Sequence, residues 1–294
     1  MKKFTLFAGL AAVAFGASAA DFNVADPSIE AFANKHGKGT YYAIAMSELS
    51  MDNLKAAGNE VVFIGPDEVT NFFYVWSQTL KAGTTSIPGP GWNEENMDFE
   101  YTSLTVVAPE GWSGCGWFNT ESNIAFDDNT IFHIAYATTA TSPGSIGVLL
   151  LDGLYNEEIG NDKLPTTPAK IGVGGSYNDN GAIFPGIGTP LTEDWAGVEI
   201  SFADIKKLYP SFAYKTGKFN GNVVSVLAGG VPGHNFAVDN MFFFVPGNAA
   251  IEGVGADVEN APVEYFNLQG VRVANPENGL FIRRQGNKAE KVVL

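Results

Sequence analysis

A two-sheet antiparallel β-sandwich of jelly-roll type, followed by a small C-terminal β unit, is the all-β fold this sequence predicts. Three observations carry the expectation. Short apolar segments of strand length recur from residue 60 onward, parted by Gly, Pro and Asn. The stretch Phe236-Ala237-Val238-Asp239-Asn240-Met241-Phe242-Phe243-Phe244-Val245 is apolar on both alternating faces, as a central strand covered on each side must be. Helical signals are few and short. Strict alternation along that stretch puts Phe236, Val238, Phe242 and Phe244 on one face and Ala237, Met241, Phe243 and Val245 on the other. It also turns the adjacent Asp239 and Asn240 opposite ways. A carboxylate buried there requires a hydrogen-bond partner, a counter-charge or a metal.

The N-terminus reads as an export signal. Lys2 and Lys3 precede an apolar run from Phe4 to Phe15, and Ala17-Ser18-Ala19 supplies the small residues of a cleavage site. The run is too short to span a bilayer, and no cysteine follows it to take a lipid. Residues 1–19 are therefore expected to be a signal peptide and 20–246 the sandwich. Loss of Lys2 and Lys3 takes the formal net charge from -15 to -17. That charge argues against nucleic acid and against an anionic membrane surface. With one cysteine, Cys115, the chain has no internal disulfide, and packing must hold it together.

The elements follow in order. Pro27 after Asp26, with Glu30 in the first turn, starts a helix. Thr40 to Ala45 is a strand. Ser50 before Met51 to Ala57, with Gly58 after, reads as a capped helix. Strands are expected at Val61–Ile64, Asn71–Trp76, Tyr101–Val107, Thr130–Ala137, Ile146–Leu151, Val198–Phe202 and Asn222–Leu227. One helical turn is expected from Phe202 to Leu208, ended by Pro210. Asn180-Gly181, Asn220-Gly221 and Asn278-Gly279 are tight-turn signals. Residues 171–190 are rich in Gly and Pro and read as a loop or hairpin between strands. The run Gly172-Val173-Gly174-Gly175 lacks the Lys-Ser/Thr of a phosphate loop. Residues 247–262 are small, polar and acidic, a linker. Residues 263–294 are β-like again and carry a local charge of +2.

Flat aromatic rings are the first candidates for binding, because a sugar has an apolar C–H face and a hydroxyl rim. Trp92 lies in a Gly/Pro loop. Trp112 and Trp117 flank a glycine-rich bend, Gly111-Trp112-Ser113-Gly114-Cys115-Gly116-Trp117. Trp76, sharing a strand face with Phe72 and Tyr74, reads as core. Asp239 is a weak candidate for structural calcium, with Asp127, Asp128 and Asn129 as further oxygen donors, against the simpler reading of a hydrogen-bonded buried carboxylate. His36, His133 and His234 lack a second ligand at metal spacing, which argues against zinc. Cys115 with a histidine, or a pair among Glu94, Glu95, Glu157, Glu158, Glu193 and Asp194, is the only opening for catalysis, and no spacing singles one out.

Two resemblances add to this. Glu264-Tyr265-Phe266-Asn267-Leu268-Gln269-Gly270-Val271-Arg272-Val273, Asn278-Gly279-Leu280-Phe281-Ile282 and Lys291-Val292-Val293-Leu294 together resemble the C-terminal sorting domain of type IX secretion cargo. This implies passage across the inner and then the outer membrane, with the export machinery as a partner and the outer surface or medium, or the periplasm, as the destination. Trp195-Ala196-Gly197-Val198-Glu199-Ile200, Asn222 to Leu227, and Phe236 to Phe243 with its Asp-Asn pair resemble jelly-roll carbohydrate-binding modules. That resemblance implies a non-catalytic module holding a glycan through exposed aromatic residues, with no cofactor beyond a structural calcium. The alternatives are a surface structural or adhesive protein without a small ligand and, third, a glycan hydrolase.

Overall fold

The computed structural model of the chain describes residues 27–67, 70–82, 101–107, 111–139, 141–156, 163–247, 263–267, 272–273, 276, 279–285 and 288–293. Trp92, the export signal and most of the expected linker lie outside them. Helix α1 (Pro27–His36) starts at Pro27 as expected. Strand β1 (Gly39–Ala45) leads to α2 (Glu48–Ala56), whose cap is Ser47 and not Ser50. The Ser47 hydroxyl accepts the Ser50 N–H, so the helix begins a turn earlier than the sequence suggests. Strand β2 (Glu60–Phe63) then returns parallel to β1, a helix-crossover unit inside an otherwise largely antiparallel sheet.

The strands β3 (Phe72–Val75), β4 (Leu80–Ala82), β5 (Thr102–Val106), β6 (Gly114–Ile124), β7 (Ile131–Ala137) and β8 (Ile146–Asn156) follow. The glycine-rich bend expected around Trp112–Trp117 is instead mostly the start of β6, where glycine is used for what lies above it. After β9 (Lys163–Pro165) and β10 (Ala169–Val173), the loop or hairpin expected at 171–190 is built of the end of β10 and of β11 (Tyr177–Asp179), β12 (Ala182–Phe184) and β13 (Gly186–Ile187). Here the turn signal does hold. Asn180 (φ 49) and Gly181 (φ 91) close the two-residue β11–β12 hairpin. Next come β14 (Ala196–Ser201), α3 (Phe202–Leu208), β15 (Gly217–Leu227) and β16 (Asn235–Pro246). Asn220-Gly221, expected as a turn, lies within β15. Gly221 is needed for close approach: a Cβ there would stand 2.5 Å from the Gly153 Cα of β8.

Among the described residues these strands form two seven-stranded sheets, with the β11–β12 hairpin as a separate two-stranded sheet. The first runs β14-β7-β16-β1-β2, with β5 on the other half of the β16 edge and β4 beyond it. The second runs β13-β10-β8-β15-β6-β3, with β9 on β8. The main core fills the space between them, and a second apolar cluster lies between the first sheet and the two N-terminal helices.

Strand β16 touches both clusters, but not by strict alternation. Against β7 it pairs Asp239 with Ala135 and then Phe242 with His133, three residues against two. Asn240 takes a left-handed φ of 45° in this bulge. The phase therefore shifts by one. Phe236, Val238, Met241 and Phe243 face the inter-sheet core, whereas Phe242 and Phe244 face the helices. This corrects the face assignment drawn from simple alternation. The bulge is fully bonded: Asp239 Oδ1 accepts the Asn240 N–H at 2.7 Å, and His133 Nδ1 donates to the Asn240 carbonyl at 2.8 Å.

The chain divides into two compact units on either side of Pro246. The second unit is a four-stranded sheet of β17 (Val263–Phe266), β18 (Arg272–Val273), β19 (Leu280–Gln285) and β20 (Lys288–Val293), in the order β18-β17-β19-β20.

Candidate ligand-binding face

The outer face of the second sheet is paved with glycine and roofed with rings. Strand β6 carries Gly114 and Gly116 at alternate positions, and Gly147 is the second residue of β8. A Cβ on Gly114 would stand 2.5 Å from the Trp76 ring. One on Gly116 would stand 3.1 Å from the Tyr74 ring, and one on Gly147 would stand 2.6 Å from the Tyr177 ring. Each ring lies close against bare backbone, where any side chain would displace it. Trp76, Tyr74 and Tyr177 all stay partly exposed. Phe72, 48% exposed, continues the row and stacks on Phe118 with centroids 4.8 Å apart. Ring centroids along Phe72, Tyr74 and Trp76 are 5.8 and 6.4 Å apart, the spacing that alternate residues of one strand impose.

The backbone pins Trp76. Directly after it, Ser77 (φ 47) and Gln78 (φ 58) are both left-handed. The Thr79 N–H and hydroxyl both donate to the Trp76 carbonyl, at 3.0 and 2.8 Å, and the Gly114 N–H donates to that hydroxyl. Strained backbone held by several bonds fixes where the ring sits. At the far side the Tyr177 hydroxyl accepts the Gly229 N–H at 2.8 Å, which ties the β11–β12 hairpin to the end of β15.

Polar groups border the rings. Asn222 leans over Gly116, and its Oδ1 accepts the Tyr74 hydroxyl at 3.1 Å. Asp152, exposed, stands opposite Asn222 on β8. Asn222 precedes the extra residue Val223 on β15, and Asp152 follows the extra residue Leu151 (φ 59) on β8, where the strands bulge together.

The expected site residues divide three ways. Trp112 is partly exposed, and the Gly111–Gly230 bridge continues the β6–β15 register, so alternation places Trp112 on the same face as Gly114. Trp117 is corrected: it is 2% exposed, on the inward side of β6, with its ring 4.9 Å from Phe73. The alternation that turns Gly114 and Gly116 outward necessarily turns Cys115 and Trp117 inward. Trp92 lies outside the described residues. The face also holds residues that the sequence reading assigned to core or missed, namely Trp76, Tyr74 and Tyr177. The readable signal for them was glycine at every second strand position, which marks a face without Cβ atoms.

Glu94, Glu95, Glu157 and Glu158 lie outside the described residues; the calcium and thiol candidates are accounted for by packing. Asp239 is 2% exposed and hydrogen-bonded in the β16 bulge. Among the described residues, no group of three His, Cys, Asp or Glu is placed to hold a metal ion. Asp127 Oδ1 accepts the Asn129 N–H, and Asp128 bonds Lys206 and Tyr214, so both acids act in local structure. Cys115 is fully buried between the sheets, and burial pushes its thiol well above the usual range. His133 belongs to the cluster beneath α1, its ring 5.4 Å from Phe32, so a Cys115–His133 pair is not formed. Tyr101 and Trp195 meet edge to face at 5.6 Å. An apolar cleft of about 390 Å³, lined by Ile44, Met46, Phe63, Phe73 and Trp117 among others, brings no cluster of ionisable groups together.

No family model and no curated protein matches the sequence. Solved structures do. A family 30 carbohydrate-binding module of a Clostridium thermocellum cellulosomal cellulase is 11% identical, with 60% of this chain and 91% of that chain covered and a TM-score of 0.36. A family 11 carbohydrate-binding module from the same organism is 10% identical, covering 61% and 89%, with a TM-score of 0.33. The CBM22-1 xylan-binding domain of Paenibacillus barcinonensis Xyn10C is 10% identical, covering 60% and 87%, with a TM-score of 0.29.

Proposed function

We propose that this protein is an exported, non-catalytic module that holds a glycan on the outer face of its second sheet. The observation that carries the reading is the set of rings laid on glycine. Rings that rest against bare backbone and stay partly exposed offer apolar surface to solvent, and such surface complements the C–H faces of sugar rings. A buried aromatic cluster would instead interlock edge to face with no open side. Asn222, Asp152 and the Tyr74 hydroxyl supply hydrogen bonds to the rim. The net charge favours a neutral ligand over an anionic one.

Export rests on the N-terminal signal pattern, and surface sorting on the C-terminal motif. No helix among the described residues is long and apolar enough to cross a membrane. Affinity electrophoresis of the purified protein against β-glucan, xylan, galactomannan and polygalacturonate tests the binding. Retardation on at least one neutral polysaccharide is expected. Trp76→Ala and Trp112→Ala should each reduce it at least tenfold while the fold stays intact. A wild-type protein that migrates freely in every gel removes the proposal.

A further inference from the structure

Resting on that reading, the geometry points to Asn222 as the residue that sets which sugars the face accepts. The amide of Asn222 is oriented before any ligand arrives. Its Oδ1 receives the Tyr74 hydroxyl at 3.1 Å and lies over Gly116, where a Cβ would stand 2.7 Å from that same oxygen. The oxygen is therefore committed, and the opposite end of the amide, Nδ2, carries two N–H donors that no other described residue takes up. The Tyr74 oxygen, having donated, keeps lone pairs to accept. One strand away, the Asp152 carboxylate is exposed on the same side, directly opposite Asn222 in the β15–β8 register.

A ligand that meets this subsite must accept from an amide and donate to a phenol oxygen or a carboxylate within one ring's width, above the face of Tyr74. A pyranose with neighbouring hydroxyls does this, since each hydroxyl both donates and accepts. The ionised carboxylate or sulfate of an acidic sugar can only accept, and where it meets this subsite its charge faces Asp152. The subsite thus selects an uncharged sugar with vicinal hydroxyls, and Tyr74 acts twice, as a platform and as the group that positions Asn222.

Isothermal titration of the full chain with a soluble neutral polysaccharide that retards it, and with polygalacturonate, tests this. Asn222→Ala should weaken neutral-glycan binding about tenfold. Tyr74→Phe keeps the ring and frees the amide, and should weaken binding three- to tenfold. In the Asn222→Ala background, Tyr74→Phe should cost clearly less than it does alone, because only the hydroxyl's own bond to the ligand is then left to lose; fully additive losses would show that the hydroxyl does not position the amide. Asp152→Asn should raise polygalacturonate binding relative to the neutral glycan. If Trp76→Ala abolishes binding while Asn222→Ala and Tyr74→Phe leave it unchanged, the face binds glycan but this inference is wrong. If polygalacturonate is the preferred ligand of the wild type, the selectivity argument fails. If Trp76→Ala has no effect, the face itself is misassigned, and the inference falls with it.

Discussion

Trp76 and Trp117 show how much a residue's role depends on which side of a sheet it faces. Trp117 packs between the sheets, and its truncation leaves a large void with little room to collapse. Trp117→Ala should cost about 3–5 kcal/mol in denaturant melts; a change under about 1 kcal/mol would contradict its core placement. Trp76 lies on the outer face against Gly114, so Trp76→Ala should cost much less stability and mainly binding. Gly114→Val makes the complementary test. Its new side chain would occupy the space of the Trp76 ring, so binding should fall with Trp76 still present in the sequence. Cys115, between Gly114 and Gly116, faces inward with Trp117. With its thiol pushed up by burial and no solvent access, it should resist alkylation in the folded protein and react on unfolding.

At the level of elements, β16 and α1 determine how the first sheet is covered. The bulge in β16 lets one strand present Met241 and Phe243 to the core and Phe242 and Phe244 to the helices. Because Asn240 is left-handed and buried there, Asn240→Gly keeps the backbone conformation and loses only what the side chain contributes, whereas Asn240→Val should cost about 1–2 kcal/mol more through backbone strain. Deleting Asn240 would put the phenylalanines on the wrong faces, and the variant should not give a cooperative melt. Helix α1 is tied down by Glu199 of β14, which bonds His36 at 3.0 Å and also pairs with Lys35. Burial raises the Glu199 pKa, but the bonds and charges of His36 and Lys35 outweigh it and hold the carboxyl at about 2, below its ordinary 4.5. A carboxyl lowered on folding stabilises the folded state above its unfolded pKa, and that stabilisation is lost as pH falls through the folded value. Glu199→Gln should therefore lower stability at neutral pH, and its difference from wild type should shrink between about pH 4.5 and 2. A difference that stays constant across that range would show that the ion pair does not anchor the helix.

Over the whole molecule, the two units on either side of Pro246 lead to the expectation that residues 21–246 melt at the temperature of the mature chain and bind the same glycan. A truncated chain that fails to fold would show that the tail is part of the sandwich. Loss of residues 263–294 should alter where the protein is delivered, which fractionation of the producing cells would show. Much of the fold was legible in the sequence. Strand-length apolar runs, the Asn180-Gly181 hairpin, α1 at Pro27 and α3 at Phe202 are set by local periodicity and by what Pro, Gly and Asn do to a backbone. The binding face was not legible. Gly114 and Gly116 read along the chain as a bend and Gly147 as one residue of a strand, and only the pairing of β3, β6, β15 and β8 reveals that rings from distant segments need the space they leave. The phase of β16 was hidden for the same reason. Alternation is a local property that strand residues carry with them, whereas a bulge is decided by which neighbours pair on each edge, and those neighbours come from the rest of the chain.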